Sequence, residues 1–142
     1  MPSTRQFTRR KFKDCLITNS PTVGRKLIQH LKSDGYLNIF VDEYLGKQVY
    51  FPPFGREFPP KGNINNAIRL AKMTDAILCP LYLCNTGEAH YQIKMLEPYQ
   101  EHIAELTKPQ LAELKMRIAD DCESVIRQHF DQWLYNIQLR FD

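Results

Sequence analysis

No stretch of this 142-residue sequence is long and apolar enough to cross a bilayer as a helix. The longest nearly apolar run, Ile77 to Cys84, falls far short of the ~20 residues a crossing needs. Any membrane role is therefore expected to be peripheral. The start is polar and basic with no hydrophobic segment, so a secretory leader is not expected. There is no Walker motif, dinucleotide fingerprint, zinc pattern or calcium loop, and the reading carries neither a cofactor nor a metal. The four cysteines, Cys15, Cys79, Cys84 and Cys122, lack the close pairing of metal ligands. They read as buried thiols of a reducing compartment. No internal repeat is present.

What is present suits one folded domain: 43% hydrophobic and 25% charged residues, in a chain long enough for a modest core. The net charge of +3 is unevenly spread. Residues 1–32 carry eight bases against one acid, 33–96 are balanced, and 97–142 carry five bases against nine acids. This is either ordinary solvated surface or attraction to an anionic partner such as lipid head groups. The acidic C-terminal part opposes a nucleic-acid partner, and none is expected.

Residues 1–15 form a basic arm in which Phe7 and Phe12 are interleaved with Arg5, Arg9, Arg10, Lys11 and Lys13. A helix follows, with Ser20 as its cap, Pro21 at its first position and Val23, Leu27, Ile28 and Leu31 on one side. Asp34-Gly35 ends it. YLNIFV then reads as an inner strand. Asp42 and Glu43 stand where it runs out, the edge of an α/β sheet where functional side chains gather; acids at a strand end are also common turn residues. The next segment is irregular, after a brief strand at Val49, Tyr50 and Phe51. Pro52, Pro53, Pro59 and Pro60 exclude a central strand and stiffen the loop that carries Phe54 and Arg56. Arg56 suits a carboxylate or a phosphate.

NINNAIRLAKM is expected to be a helix with Ile64, Ala67, Ile68 and Ala71 on its inner face. AILCPLYL is expected to be a strand, bulged or at an edge at Pro80. NTGEAHYQIKMLEP is a turn and a return strand in which Tyr91, Ile93 and Met95 share a side. From Thr107, with Gln110 as capping-box partner, Leu111, Leu114, Ile118, Cys122, Val125 and Ile126 form the apolar stripe of a packing helix. A last helix around Gln132 to Leu139 anchors the tail through the sole tryptophan, Trp133.

The four histidines do not assemble a catalytic set by spacing. His30 and Asp34 share a helix face and suit a surface pairing. His90 sits beside Glu88 in a turn, and His102 and His129 lie in charge-rich helical surroundings. No nucleophile with a base and an orienting acid can be assigned.

The segments VDEYLGKQV, FPPFG, AIRLAKMTDA and ILCPLY, in that order, resemble the later half of the lipid A biosynthesis acyltransferases. These are the lauroyl and myristoyl transferases of the lysophospholipid acyltransferase-like superfamily. The matching positions are Asp42, Glu43, Phe54, Gly55, Arg69, Leu70, Ala71, Ala76 and Pro80. The segment ESVIRQHFDQWLYNIQLRF resembles the family's terminal part, with His129, Gln132, Trp133 and Arg140 matching and Phe130 in place of a proline. The resemblance covers about three quarters of the chain.

It implies an α/β fold, an incomplete glycerolipid-acyltransferase-like sandwich with a mixed sheet flanked by helices. Residues 1–15 would be the basic arm, and 16–142 the C-terminal part of the acyltransferase-like domain. The implied reaction moves a fatty acyl group from acyl-carrier protein to a lipid A precursor, at the cytoplasmic face of the bacterial inner membrane. Asp42 or Glu43 would sit near the catalytic histidine. Phe54 and Gly55 would wall the substrate cleft, and Arg56 or Arg69 would meet phosphate. The competing structural expectation is that both acids solvate a turn and Phe54 plugs the core.

The departure from the family is the His-x4-Asp/Glu motif, in which the histidine deprotonates the acceptor hydroxyl. No such motif occurs in these residues; His30 and Asp34 have three intervening residues rather than four. Loss of a general base alone removes roughly 10²–10⁴-fold in rate. The expectation is a chain inactive by itself, with an upstream catalytic half as a partner. The alternative is a non-catalytic module that binds anionic membrane through the basic arm.

Overall fold

A computed structural model describes residues 22–42, 44–45, 48–49, 62–99 and 102–133. The chain divides into two units, Met1–Leu37 and Asn38–Asp142. The expected boundary at residue 15 lies outside the described residues.

The first unit contains α1, Val23–Lys32. Its cap position is Thr22 rather than Ser20, which lies outside the described residues with Pro21. The C-terminal end is closed by Ser33, whose hydroxyl donates to Gln29 O at 2.8 Å and to His30 O at 3.1 Å. Asp34 then takes the left-handed conformation, φ 58°, and the Gly35 N–H donates to His30 O at 3.0 Å. A Cβ at Gly35 would meet that carbonyl at 2.5 Å and the His30 ring at 2.6 Å, so only glycine fits this approach. With its proton on Nε2, His30 donates to Tyr36 O at 3.0 Å; its ring is committed there rather than to Asp34.

The second unit begins with a correction. YLNIFV forms no strand: residues 35–40 have no regular structure and 41–42 form a bend. Leu37, Ile39 and Val41 are half-buried, whereas Tyr36, Asn38 and Phe40 are exposed. The period-two pattern is thus real, but a strand needs a hydrogen-bonding neighbour, and among the described residues this stretch has none. The Phe40 carbonyl instead accepts from Asn63 Nδ2 at 2.8 Å. Beyond it, β1 (Tyr44–Leu45) and β2 (Gln48–Val49) form a short antiparallel hairpin, Tyr44 opposite Val49 and Leu45 opposite Gln48.

Helix α2, Asn63–Thr74, forms as its spacing predicts and buries Ile64, Ala67, Ile68 and Ala71. It ends where Asp75 turns left-handed at φ 54°. The following strand, β3, is Leu81–Gly87 and starts only after Pro80, which cannot donate to a ladder. The Pro80 carbonyl still accepts from Leu96 N, and the Leu78 carbonyl from Tyr99 N, each at 3.0 Å. β3 pairs antiparallel with β4, His90–Met95, with an irregularity between Asn85 and Gly87 at the turn.

After the 3-10 turn Ile103–Glu105, α3 runs Lys108–Gln128. The expected capping box forms: the Thr107 N–H donates to Gln110 Oε1 at 2.9 Å. A second 3-10 turn, Phe130–Gln132, stands where a last helix was expected to begin; the rest of that helix lies outside the described residues. The core joins Ile64, Ile68 and Ala71 of α2 to Tyr99, Ile103, Leu106, to Leu114, Ile118 and Ile126 of α3, and to Trp133. Ile64 and Ile103 are fully buried, and each contributes roughly 1.5–3 kcal/mol through removal from water.

The architecture is therefore mixed α and β, with helices beside small antiparallel sheets. Among the described residues each sheet has two strands, both antiparallel. Among the described residues, the β3–β4 ribbon is covered on one side only. Tyr82 and Cys84, with Lys94 and Gln92 opposite, share the face where Cys84 is buried and Tyr82 meets the His129 ring at 5.6 Å. The other face aligns Leu81 with Met95 and Leu83 with Ile93, next to Tyr91. These five side chains are 51–66% exposed.

Candidate functional site

Asp42 is the one predicted catalytic acid among the described residues, and the fold holds it from a distance. Trp133 Nε1–H donates to Asp42 Oδ2 at 3.0 Å across 91 residues of sequence. The indole can do this because α3 and the 3-10 turn after it return the chain to the bend at 41–42. Trp133 is buried and Asp42 half-buried, so the contact is partly shielded from water. The residue before it is equally committed. The Gln132 side-chain amide accepts from Asn85 N at 2.7 Å and donates to Asn85 O at 3.2 Å. The Gln-Trp pair thus clamps β3 with one side chain and the Asp42 bend with the next.

Cys122 of α3 lies near Asp42, and Tyr99, Asp121 and Arg117 lie near one another beside it. Cys122 is packed against the core, and its thiol is pushed up to about 12, first by burial and then by the negative charges of Asp42 and Asp121. Tyr99 is also raised above its ordinary value, by burial first and then by Cys122 and Asp121. Its hydroxyl is buried beside the Asp121 side chain, and the Arg117 guanidinium lies 5.5 Å from its ring centre, within cation–π range. At neutral pH both the thiol and the phenol stay protonated. Burial thus lowers the share of Cys122 present as thiolate, the reactive form, below that of a free cysteine. The groups around Asp42 can orient a carboxylate, and the same surroundings favour the protonated forms of Cys122 and Tyr99.

No family model, curated protein or solved structure matches the chain.

Of the other predicted site residues, Glu43, Phe54, Gly55 and Arg56 lie outside the described residues. Arg69 is exposed on α2 and lines a groove of about 610 Å³ with Lys72 of the same helix and Lys108 and Lys115 of α3; Asp42 does not line it. The structure thus gives Asp42 and Arg69 different surroundings.

The histidines do not converge on Asp42's clamp as a set. His102 Nδ1 is 3.3 Å from Asp75 Oδ2 in an exposed pair, and His90 is exposed in the ribbon. Among the described residues no cluster of metal-ligating side chains occurs, and no helix is long and apolar enough to cross a membrane. Sequence reading missed Tyr99, Arg117, Asp121, Lys72, Lys108 and Lys115. For the three lysines a signal existed: Lys108, Leu111, Ala112 and Lys115 recur at helical three- and four-residue spacing, as do Asn65, Ile68, Arg69 and Lys72.

Proposed function

We propose that this chain is the C-terminal part of an acyltransferase of the lipid A type, which needs an upstream segment bearing His-x4-Asp/Glu to move an acyl group. The observation that carries the reading is the Trp133–Asp42 hydrogen bond. It ties together the two segments, VDEY and DQWL, whose resemblance to the family is independent in sequence. Asp42, held at a bend by the Trp133 indole, is the residue to orient a histidine supplied from upstream. Within the 142 residues no such histidine motif exists, so the cluster has an orienting acid without its base.

The exposed face of Leu81, Leu83, Tyr91, Ile93 and Met95 also supports the reading. An apolar sheet face of this kind stands for something that covers it, and the upstream half is the partner proposed here. Acyl-carrier protein would deliver the acyl group and a lipid A precursor would accept it, at the cytoplasmic face of the inner membrane.

The test is reconstitution. The chain is incubated with laurate on acyl-carrier protein and a lipid A precursor, alone and with an upstream segment carrying His-x4-Asp/Glu. No turnover alone, and transfer on mixing that Asp42→Ala abolishes, is the expected result. Transfer by the chain alone would overturn the need for an upstream base. Transfer on mixing that Asp42→Ala leaves intact would remove Asp42 from the site.

A further inference from the structure

We propose that the outer edge of β4 pairs with the same edge of a second copy of this chain, joining two ribbons into one antiparallel sheet. The backbone shows which groups are spare. Along an antiparallel strand the N–H and C=O of successive residues turn alternately toward the neighbouring strand and away from it. Just beyond β4, Leu96 N donates to Pro80 O at 3.0 Å, so the even-numbered residues face β3. Lys94 and Gln92 follow the same phase, opposite Tyr82 and Cys84. Tyr91, Ile93 and Met95 therefore turn their backbone groups outward. Among the described residues no further strand lies along this edge, and none of the three has another hydrogen-bond partner.

The opposite edge of the ribbon shows what such groups take up. Asn85 of β3 turns its N–H and C=O outward. The N–H donates to Gln132 Oε1 at 2.7 Å, and Gln132 Nε2 donates to the C=O at 3.2 Å. That side-chain amide makes the two bonds that one peptide unit of an added strand would make, so it blocks the β3 edge at this point. Edge strands are commonly guarded by such caps, by prolines or by charges that point along the sheet. β4 holds no proline, no cap meets its outer edge among the described residues, and its one lysine, Lys94, lies on the ribbon face shared with Cys84.

The edge is complementary to itself. A two-fold axis at Ile93 sets Ile93 opposite its own copy and Tyr91 opposite Met95, and each of these pairs exchanges both of its N–H···O bonds. On the outer face aliphatic meets aliphatic and aromatic meets thioether; on the other face Gln92 meets Lys94. No two like charges stand opposite one another between residues 88 and 98. The neighbouring registers are worse. An axis at Lys94 sets the two lysines against each other. An axis at Gln92 sets Met95 opposite Ala89, which stands in the turn at φ 63°, outside strand geometry, so those bonds are lost. This two-way match favours a second copy over an unrelated strand. The axis is perpendicular to the sheet, so the two outer faces come to the same side and stay open. The pairing uses the edge alone and does not rest on acyl transfer.

Sedimentation equilibrium of the full chain, from micromolar to millimolar concentration, should show a reversible monomer–dimer equilibrium. Amide hydrogen exchange at Tyr91, Ile93 and Met95 should slow as the dimer fills. Ile93→Pro removes the central outward N–H and no bond of the ribbon itself. Gln92→Lys sets like charges opposite one another twice. With the fold checked by circular dichroism, each should weaken dimerisation by about tenfold or more. Adding Lys94→Glu to Gln92→Lys makes the opposed charges unlike and should recover the dimer, which a merely damaged strand would not do. The proposal is overturned if the chain stays monomeric at millimolar concentration, or if a dimer forms while the three amides exchange as in the monomer. It is overturned as well if Gln92→Lys dimerises like the parent chain. Slow exchange at these amides in the monomer, unchanged by concentration, would put a segment of the same chain on the edge and also overturns it.

Discussion

Removing the indole N–H at Trp133 should weaken the fold and do so through Asp42. Trp133→Phe keeps an aromatic ring in place but leaves Asp42 Oδ2 without its 3.0 Å donor. A hydrogen bond to a charged group contributes about 1.5–3 kcal/mol, and the smaller ring also gives up packing against the core. The ring pair with Phe130, now at 6.2 Å between centres, loses overlap as well. Asp42 is half-buried, which places the hydrogen-bond share toward the lower end of that range. The whole loss should be about 3 kcal/mol, a large fraction of the roughly 5–15 kcal/mol that holds a domain together. The assay is urea unfolding followed by circular dichroism, because the substitution removes the only tryptophan. Asp42→Ala and the double variant complete a thermodynamic cycle. A coupling of about 1.5 kcal/mol or more is expected. Additive single effects, with coupling under about 0.5 kcal/mol, would refute the idea that the two side chains form one clamp.

Alkaline pH should destabilise the chain through Cys122. Its thiol is raised from 9.0 to about 12, so the folded state keeps a proton that the unfolded state releases. The stabilisation is fully present below about pH 9 and is lost as pH rises toward about 12, at roughly 1.4 kcal/mol per pH unit. Tyr99, raised from its ordinary 10.0, acts in the same direction from about pH 10 upward. Cys122→Ala should flatten the loss between about pH 9 and about pH 10.5 in urea midpoints; parallel curves for parent and variant would remove Cys122 as the cause. On the ribbon, Ile93→Lys should change the chain's own stability by less than about 0.5 kcal/mol, because the side chain is exposed. The same variant should abolish co-purification with the upstream segment; retained association would show that this face is not the docking surface.

The helices were legible because their signals are local. α2 and α3 place apolar residues at helical spacing, and Thr107 with Gln110 marks a start that needs no distant partner. The ribbon was legible for a similar reason, since the turn at Gly87 to Ala89 sits between two alternating runs. YLNIFV was misread because a strand is a pairing and not a property of one segment. Its alternation survives in the half-buried Leu37, Ile39 and Val41, but its hydrogen bonds depend on what lies alongside. The clamp was half-legible: Trp133 could be placed inside, but nothing in the sequence names a partner 91 residues away.

The same limit applies to surfaces. Alternation in β4 showed that Tyr91, Ile93 and Met95 share a side; it could not show whether this chain covers that side. Here the covered side is the one with Cys84 and Tyr82, while the more apolar side faces out. Burial of that outer face would leave the ladder between β3 and β4 intact, and it would remove five large side chains from water. At roughly 1.5–3 kcal/mol for each full burial, even half of that return exceeds what most single contacts inside the chain supply. The strongest apolar drive left in the described structure therefore points outward, where the proposed upstream half would bury it.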